Sequence, residues 1–281
     1  MTNGTIEVSG LSLASATCWG GGDFAGGLAA KRANVFRVVA VAHACGLVAM
    51  LAMALLAGEA FPPAADLEWG AAAGIAGAFG IAALYQALAI GRMGVMAPVA
   101  SVVTGVLPVL VGIRTEGMPD RIQMIGFALA LMSIWLVARP NESVDSHRGL
   151  GLAVLAGLMF GLFLVAGKQA GHHGVFWPMV AARLASTGLM LAIVAISPRD
   201  PRPLIPVLWP MVFSGLLDSA GNALFIAATR HGRLDVAAVL SSLYPASTVI
   251  LARVLLKEKI SKLQSAGIIG ALVSVLLISA R

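Results

Sequence analysis

The sequence is written twice. Gly91, Arg92 and Val95 recur 141 positions later as Gly232, Arg233 and Val236, and Gln123 and Gly126 recur at the same spacing as Gln264 and Gly267. The offset is half of the 281-residue chain. Upstream, Trp19-Gly20 precedes Phe160-Gly161 by the same offset, and Val35-Phe36 precedes Val175-Phe176 by one position less. Between the anchors each copy has an apolar run with hydroxyl and proline positions, Ser101/Thr104/Pro108 in one and Ser241/Tyr244/Thr248 in the other. A charged loop follows, Thr115-Glu116-Gly117 or Lys257-Glu258-Lys259. Self-similarity over this length makes each copy a structural unit, and the fold has to be assembled from two of them.

Composition says what the unit is made of. Apolar residues form 59% of the chain and charged residues 11%, about half the charged share of an ordinary soluble domain. A helix that crosses a bilayer needs roughly 20 mostly apolar residues. Ten windows offer this, near 11–30, 38–57, 70–90, 93–113, 122–138, 149–167, 175–197, 207–228, 234–252 and 263–280. The expected fold is all-α and integral to the membrane, ten transmembrane helices arranged as two inverted five-helix repeats, residues 1–140 and 141–281. Inversion follows from parity: an odd number of crossings per copy turns the second copy upside down, with a cavity expected where the copies meet.

Other classes drop out. Met1 to Gly10 has no Lys or Arg, so the first apolar run reads as a span and not as a cleaved leader. Cys18 and Cys45 lie in separate windows without ligands at metal-binding spacing, so no metal, cofactor or disulfide framework is expected. The net charge of +6 sits mainly at span ends, where Lys and Arg set topology, and does not argue for nucleic acid. No nucleophile lies beside a histidine, and the His172-His173 doublet reads as a solvated loop, so the chain is not read as an enzyme.

Within the windows the polar residues stand out. A charge at mid-bilayer costs on the order of 3 kcal/mol, which singles out Asp23, Lys168, Arg183 and Asp218. Lys168 lies near a span end and can snorkel. Arg183 aligns with His43 at an offset of 140, which places a basic or titratable group at the same depth in both copies. The bland reading of that pair is ion pairing with Asp23 or Asp218; the functional one makes Asp23, Asp218, Arg183 and His43 the titratable groups of a proton-coupled site. In the eighth window Ser214, Asp218, Asn222 and Phe225 follow helical steps and share one face with Thr229. With Tyr85, Gln86, Trp19, Ser241 and Tyr244, that face supplies the candidate substrate contacts. Gly70, Gly74 and Gly77, like Gly22 and Gly26 or Gly157 and Gly161, read as close helix packing.

The two copies, the Gly-Arg pairs opening the fourth and ninth windows, Ala87-Leu88 followed by Pro98, and the segments Glu116 to Gly126 and Glu258 to Gly267 carry a resemblance. The sequence resembles the drug/metabolite transporter superfamily, in its ten-helix EamA-type branch, over essentially the whole chain. It departs from the pattern in lacking an arginine in the second window, where the second copy has Arg183, and in an extra residue in the Gly117 to Arg121 loop. The resemblance implies secondary active transport or export of small metabolites through a central cavity lined by spans one, three, four, six, eight and nine. It also implies cytoplasmic termini. A count of Lys and Arg assigns the opposite orientation: Arg114, Arg121, Lys168, Arg230, Arg233 and Arg281 share the side of the termini, against twelve on the other side, among them Arg139, Arg148, Arg199, Lys257 and Lys259.

The function expected is therefore alternating-access transport of a small polar or amphipathic solute, an amino acid being one candidate, with protons as the coupling ion. Membrane lipid is the surrounding partner, a monomer is expected, and the expected location is a bacterial inner membrane. Two other readings use the same features, a lipid or lipid-linked flippase on this scaffold and a membrane subunit that binds a partner and transports nothing. The mix of acids and bases suits a zwitterion or a self-neutralising set equally.

Overall fold

The computed structural model describes residues 3–90, 93–137, 149–197, 200, 202–256 and 262–278. The Gly91-Arg92 anchor, the Lys257-Glu258-Lys259 loop, and Arg139, Arg148, Arg199 and Arg281 of the charge count lie outside these residues. Among the described residues the structure is helical throughout. The helices are α1 (Asn3–Ala30), α2 (Val35–Leu56), α3 (Ala64–Ile90), α4 (Met93–Glu116), α5 (Arg121–Val137), α6 (Leu150–Ala170), α7 (Phe176–Ile196), α8 (Leu208–His231), α9 (Leu234–Ser241), α10 (Tyr244–Leu256) and α11 (Lys262–Ile278), with a 3-10 turn (Ile205–Val207) before α8. Six of the ten apolar windows lie in helices long and apolar enough to cross a membrane by length and composition, those of α2, α3, α4, α6, α7 and α8. Helices α5 and α11 have 17 residues each, and α1 begins with several polar residues.

The ninth window, expected as one helix, is broken into α9 and α10. Pro245 has no N–H and cannot bond back to Ser241. The chain tightens instead, with Leu243 N donating to the Leu240 carbonyl at 3.2 Å and Ala246 N to the Leu243 carbonyl at 3.0 Å. This leaves the Ser242 carbonyl without a helical donor, and the Ser101 hydroxyl of α4 donates to it. Pro108, by contrast, sits inside a continuous α4.

Packing follows the repeat. Helix α1 packs on α8 and its counterpart α6 on α3; α3 packs on α7 and α8 on α2; α4 packs on α6 as α9 and α10 pack on α1. Helix α2 meets α7, and α5 meets α11. Exchanging the halves maps each of these contacts onto another of them or, for α2 with α7 and α5 with α11, onto itself. The closest approaches are exchanged too: a Cβ added at Gly74 would fall 2.0 Å from the Ala182 carbonyl oxygen, and one at Gly215, its counterpart in the second copy, 1.9 Å from that of Ala42. Small residues permit backbone-to-backbone packing where lipid supplies no hydrophobic drive between helices. The outside carries large apolar side chains, Val48, Leu184 and Trp209 among them, each more than 60% exposed. Such a surface belongs in hydrocarbon.

Reciprocal clasps tie the halves together. Glu59, in the loop between α2 and α3, accepts the backbone N–H groups of Val175, Phe176 and Trp177 at 2.9 to 3.2 Å, capping the first turn of α7. Asp200, the equivalent position of the second copy, lies in the loop between α7 and α8 and accepts the N–H of Asn34 at 3.0 Å. The Asn34 side chain in turn caps α2 through Phe36 N and Arg37 N, and Arg37 donates to the Asp200 carbonyl at 2.9 Å. A carboxylate at a helix N-terminus satisfies free donors and meets the positive end of the dipole.

Side-chain and backbone hydrogen bonds from Arg202 hold the Asp200 carboxyl at about 2, down from an ordinary 3.8. A depressed folded-state value contributes stability that is complete above 3.8 and lost as pH falls through about 2. The gap in unfolding midpoint between the wild type and Asp200→Asn is therefore expected to be constant from neutral pH to about 5 and to shrink below 3.8. A gap that does not vary with pH down to 2 would assign the clasp to something other than this charge.

Candidate functional site

The polar face of α8 turns inward as its spacing requires: Ser214, Asn222, Phe225 and Thr229 are buried and Asp218 nearly so. It borders a cavity with about 580 Å³ of space not filled by protein atoms, open solvent included. The lining comes from α1 (Trp19, Asp23), α3 (Gly74, Gly77, Ile81), α4 (Thr104), α6 (Phe160, Phe163, Leu164), α8 (Asp218, Asn222) and α10 (Tyr244). These are the spans implied by the resemblance. Helices α2 and α7 add His43, Ala182 and Arg183.

Twelve of the fifteen lining residues fall into pairs that the repeat equates. Trp19 matches Phe160, Asp23 matches Leu164, Gly77 matches Asp218 and Ile81 matches Asn222 at the full repeat offset; His43 matches Arg183 and Thr104 matches Tyr244 at one position less. Several pairs are polar in one copy and apolar in the other. The frame of the cavity is therefore symmetric and its chemistry is not.

One network occupies the polar side. Arg183 Nη2 closes on Asp218 Oδ2 as an ion pair, and His43 Nε2 lies 3.9 Å from the same oxygen. The equivalent bases of the two copies thus converge on one acid. Asn222 Nδ2 donates to Asp218 at 3.4 Å, and its Oδ1 accepts the Trp19 indole N–H at 2.7 Å. Phe225 lies behind Trp19, ring centroids 5.9 Å apart. Taking two charges out of water is costly unless geometry and added hydrogen bonds compensate; Asn222 adds one to Asp218, while Arg183 Nε is buried without a partner.

The other expected contacts stand around the cavity and not in its lining. Tyr85 is buried with its hydroxyl 2.8 Å from Ser214 Oγ; together they bridge α3 and α8. Ser241 donates to the Ser12 carbonyl at 3.3 Å. Gln86 is exposed, because consecutive helical residues point about 100° apart and Tyr85 takes the inward direction. The His173 ring, expected in a solvated loop without acidic companions, has Nδ1 3.0 Å from Asp66, an acid brought 107 residues along the chain by the fold.

Lys168 pairs with Glu116 at the C-terminal end of α4. Arg233 holds that end as well, donating to the Glu116 and Gly117 carbonyls at 2.9 and 2.8 Å, and its guanidinium is paired with Asp235 at 2.7 Å. These charges join the ends of α4, α6 and α9 outside the cavity lining.

Sequence reasoning missed the apolar wall. Phe160, Phe163, Leu164 and Ile81 look like any other residues of a span. Carrying each polar candidate across by the repeat offset would have found most of them.

A bundle of apolar-surfaced helices around a partly polar cavity, walled by equivalent positions of two repeats, defines a multi-pass membrane protein that handles a small solute. The EamA-like transporter family matches the chain twice, over residues 9–139 and 147–280; the chain belongs to that family, and is a membrane transporter of small solutes. Twenty-eight solved chains are similar to it. One crystal structure of a protein shares 17% identity with a TM-score of 0.73, over 96% of this chain and 95% of its own length, which shows a common fold. No curated protein matches the chain.

Proposed function

We propose that this chain is a secondary transporter that moves a small metabolite by alternating access, through ten spans arranged as two inverted five-helix repeats, residues 1–140 and 141–281. The observation that carries the reading is the cavity whose walls are equivalent positions of the two copies. Inverted repeats place a site at their interface near mid-membrane, and rocking one set of helices against the other opens it to either side. The exchange of helix contacts between halves supports such a motion, since each contact broken on one side has a counterpart to form on the other. The Glu116–Lys168 and Arg233–Asp235 pairs gather three helix ends at one end of the bundle, where a gate belongs.

In this reading Asp218 and Asn222 contact solute, Trp19 and Tyr244 flank it, and Asp23 or Asp218 carries the coupling proton. The protein works as a monomer in a bacterial inner membrane. A thermal-shift screen of purified protein against amino acids, nucleosides, amines and organic anions identifies the solute, because a ligand of the folded state stabilises it by mass action. Saturable uptake of that solute into proteoliposomes is then expected to fall about tenfold or more in Asp218→Asn and in Asn222→Ala, each of which removes a buried polar contact. Unchanged uptake in both variants would overturn the site assignment.

A further inference from the structure

The cavity lining holds two carboxyl groups, Asp23 and Asp218, with Arg183 and His43. Arg183 is paired with Asp218 through Nη2, and its Nε, buried without a partner, lies against Gly46 between α2 and α7. Lys168 is held by Glu116 outside the lining. Asp23 remains: it lines the cavity, is 8% exposed, and makes no hydrogen bond or ion pair among the described residues. The donors around it are directed elsewhere. The Trp19 indole donates to Asn222, Tyr244 Oη to the Ala97 carbonyl and Thr104 to the Ala100 carbonyl, while Tyr85 Oη is engaged with Ser214. A buried acid with no internal donor is open to one from water or from a ligand.

The surroundings state what kind of ligand. An anion entering here would meet both Asp23 and Asp218 with the one arginine already neutralised. A cation would meet the Asp23 carboxyl in a lining that also includes the rings of Trp19 and Tyr244, and aromatic faces attract positive charge. The same lining includes an apolar group, Phe160, Phe163 and Leu164. We propose that the cavity takes an amphipathic organic cation, its ammonium group on Asp23 and its hydrocarbon body against those apolar side chains. The proposal rests on the reading of the cavity as the solute site, and it selects among the solutes that reading admits.

The test is isothermal titration of the purified full-length protein at neutral pH with three probes of one shape class: benzyltrimethylammonium, benzyl alcohol and phenylacetate. Benzyltrimethylammonium is expected to bind the wild type, the other two much more weakly. Asp23→Asn, which keeps the shape of the side chain and removes its charge, is expected to weaken the cation by about 10- to 100-fold, the range for a buried hydrogen bond or ion pair to a charged group. Phenylacetate or benzyl alcohol binding as tightly as the cation overturns the cation class and leaves the cavity as a solute site. Cation affinity unchanged in Asp23→Asn overturns the role of that residue. Binding of none of the three overturns this proposal, while the reading beneath it is judged separately by the thermal-shift screen and the uptake of Asp218→Asn and Asn222→Ala. Should Asp23→Asn not fold, the charge series on the wild type decides the class, and Phe160→Ala, expected to weaken the cation by loss of the apolar wall, decides the place.

Discussion

Arg183→Ala is expected to destabilise the folded bundle by about 3–5 kcal/mol, the range for a buried charge that loses its partner. Asp218 would keep His43 Nε2 at 3.9 Å and the Asn222 amide at 3.4 Å, neither a substitute for the guanidinium. Adding Asp218→Asn is expected to recover much of the loss, since the orphaned charge goes with it. Denaturant or thermal unfolding in one fixed detergent measures both, and the coupling comes from the double-mutant cycle. A double variant no more stable than Arg183→Ala alone would mean that Arg183 supports the fold by another route. Transport is expected to be lost in both variants, so stability and activity separate.

Gly74→Val and Gly215→Val are the second pair. Their Cβ atoms would lie 2.0 and 1.9 Å from backbone carbonyl oxygens, which cannot swing aside as a side chain can. Overpacking of this kind costs typically about 1–3 kcal/mol and more where backbone must move, enough to suppress folded protein in a marginally stable chain. Because the two sites are equivalent, the two losses are expected to be similar. Gly188→Ala is the contrast: a Cβ there meets nothing within 4 Å, and in a helix interior the change is expected to be neutral or stabilising by up to about 1 kcal/mol. If valine at 74 or 215 is as well tolerated as alanine at 188, the helices do not pack as closely as the structure places them.

These predictions also mark how far the sequence could be read. The repeat announced the two units and the apolar windows announced helices, because both are local patterns that need no knowledge of what lies opposite. Asp218, Asp23, Arg183 and His43 were legible as candidates because an ionisable group in an apolar window is conspicuous by cost alone. Which acid paired with which base was not legible: Arg183 and Asp218 are 35 residues apart, and only packing decides that Asp23 is left over. The break at Pro245 was half visible. A proline can interrupt a span, but the donor that makes the interruption tolerable, Ser101, sits in the other half of the chain. Gln86 was misplaced because polarity was read without direction, and the adjacent Tyr85 already occupied the inward face.

That Ser101–Ser242 contact has a further meaning. The two residues are separated by 141 positions, one more than the interval that equates Ser101 with Ser241 and Thr104 with Tyr244, so Ser101 meets the neighbour of its own counterpart. In a complex of two identical subunits such a contact lies close to the symmetry axis, and every position occurs in duplicate. A cavity built that way would hold two copies of whatever residue stood at 77 and 218, two aspartates or two glycines. Joined into a single chain, the copies are free to diverge one position at a time, and the cavity can hold an odd number of carboxylates. An unpaired Asp23 beside a paired Asp218 is a combination that only a fused pair can encode.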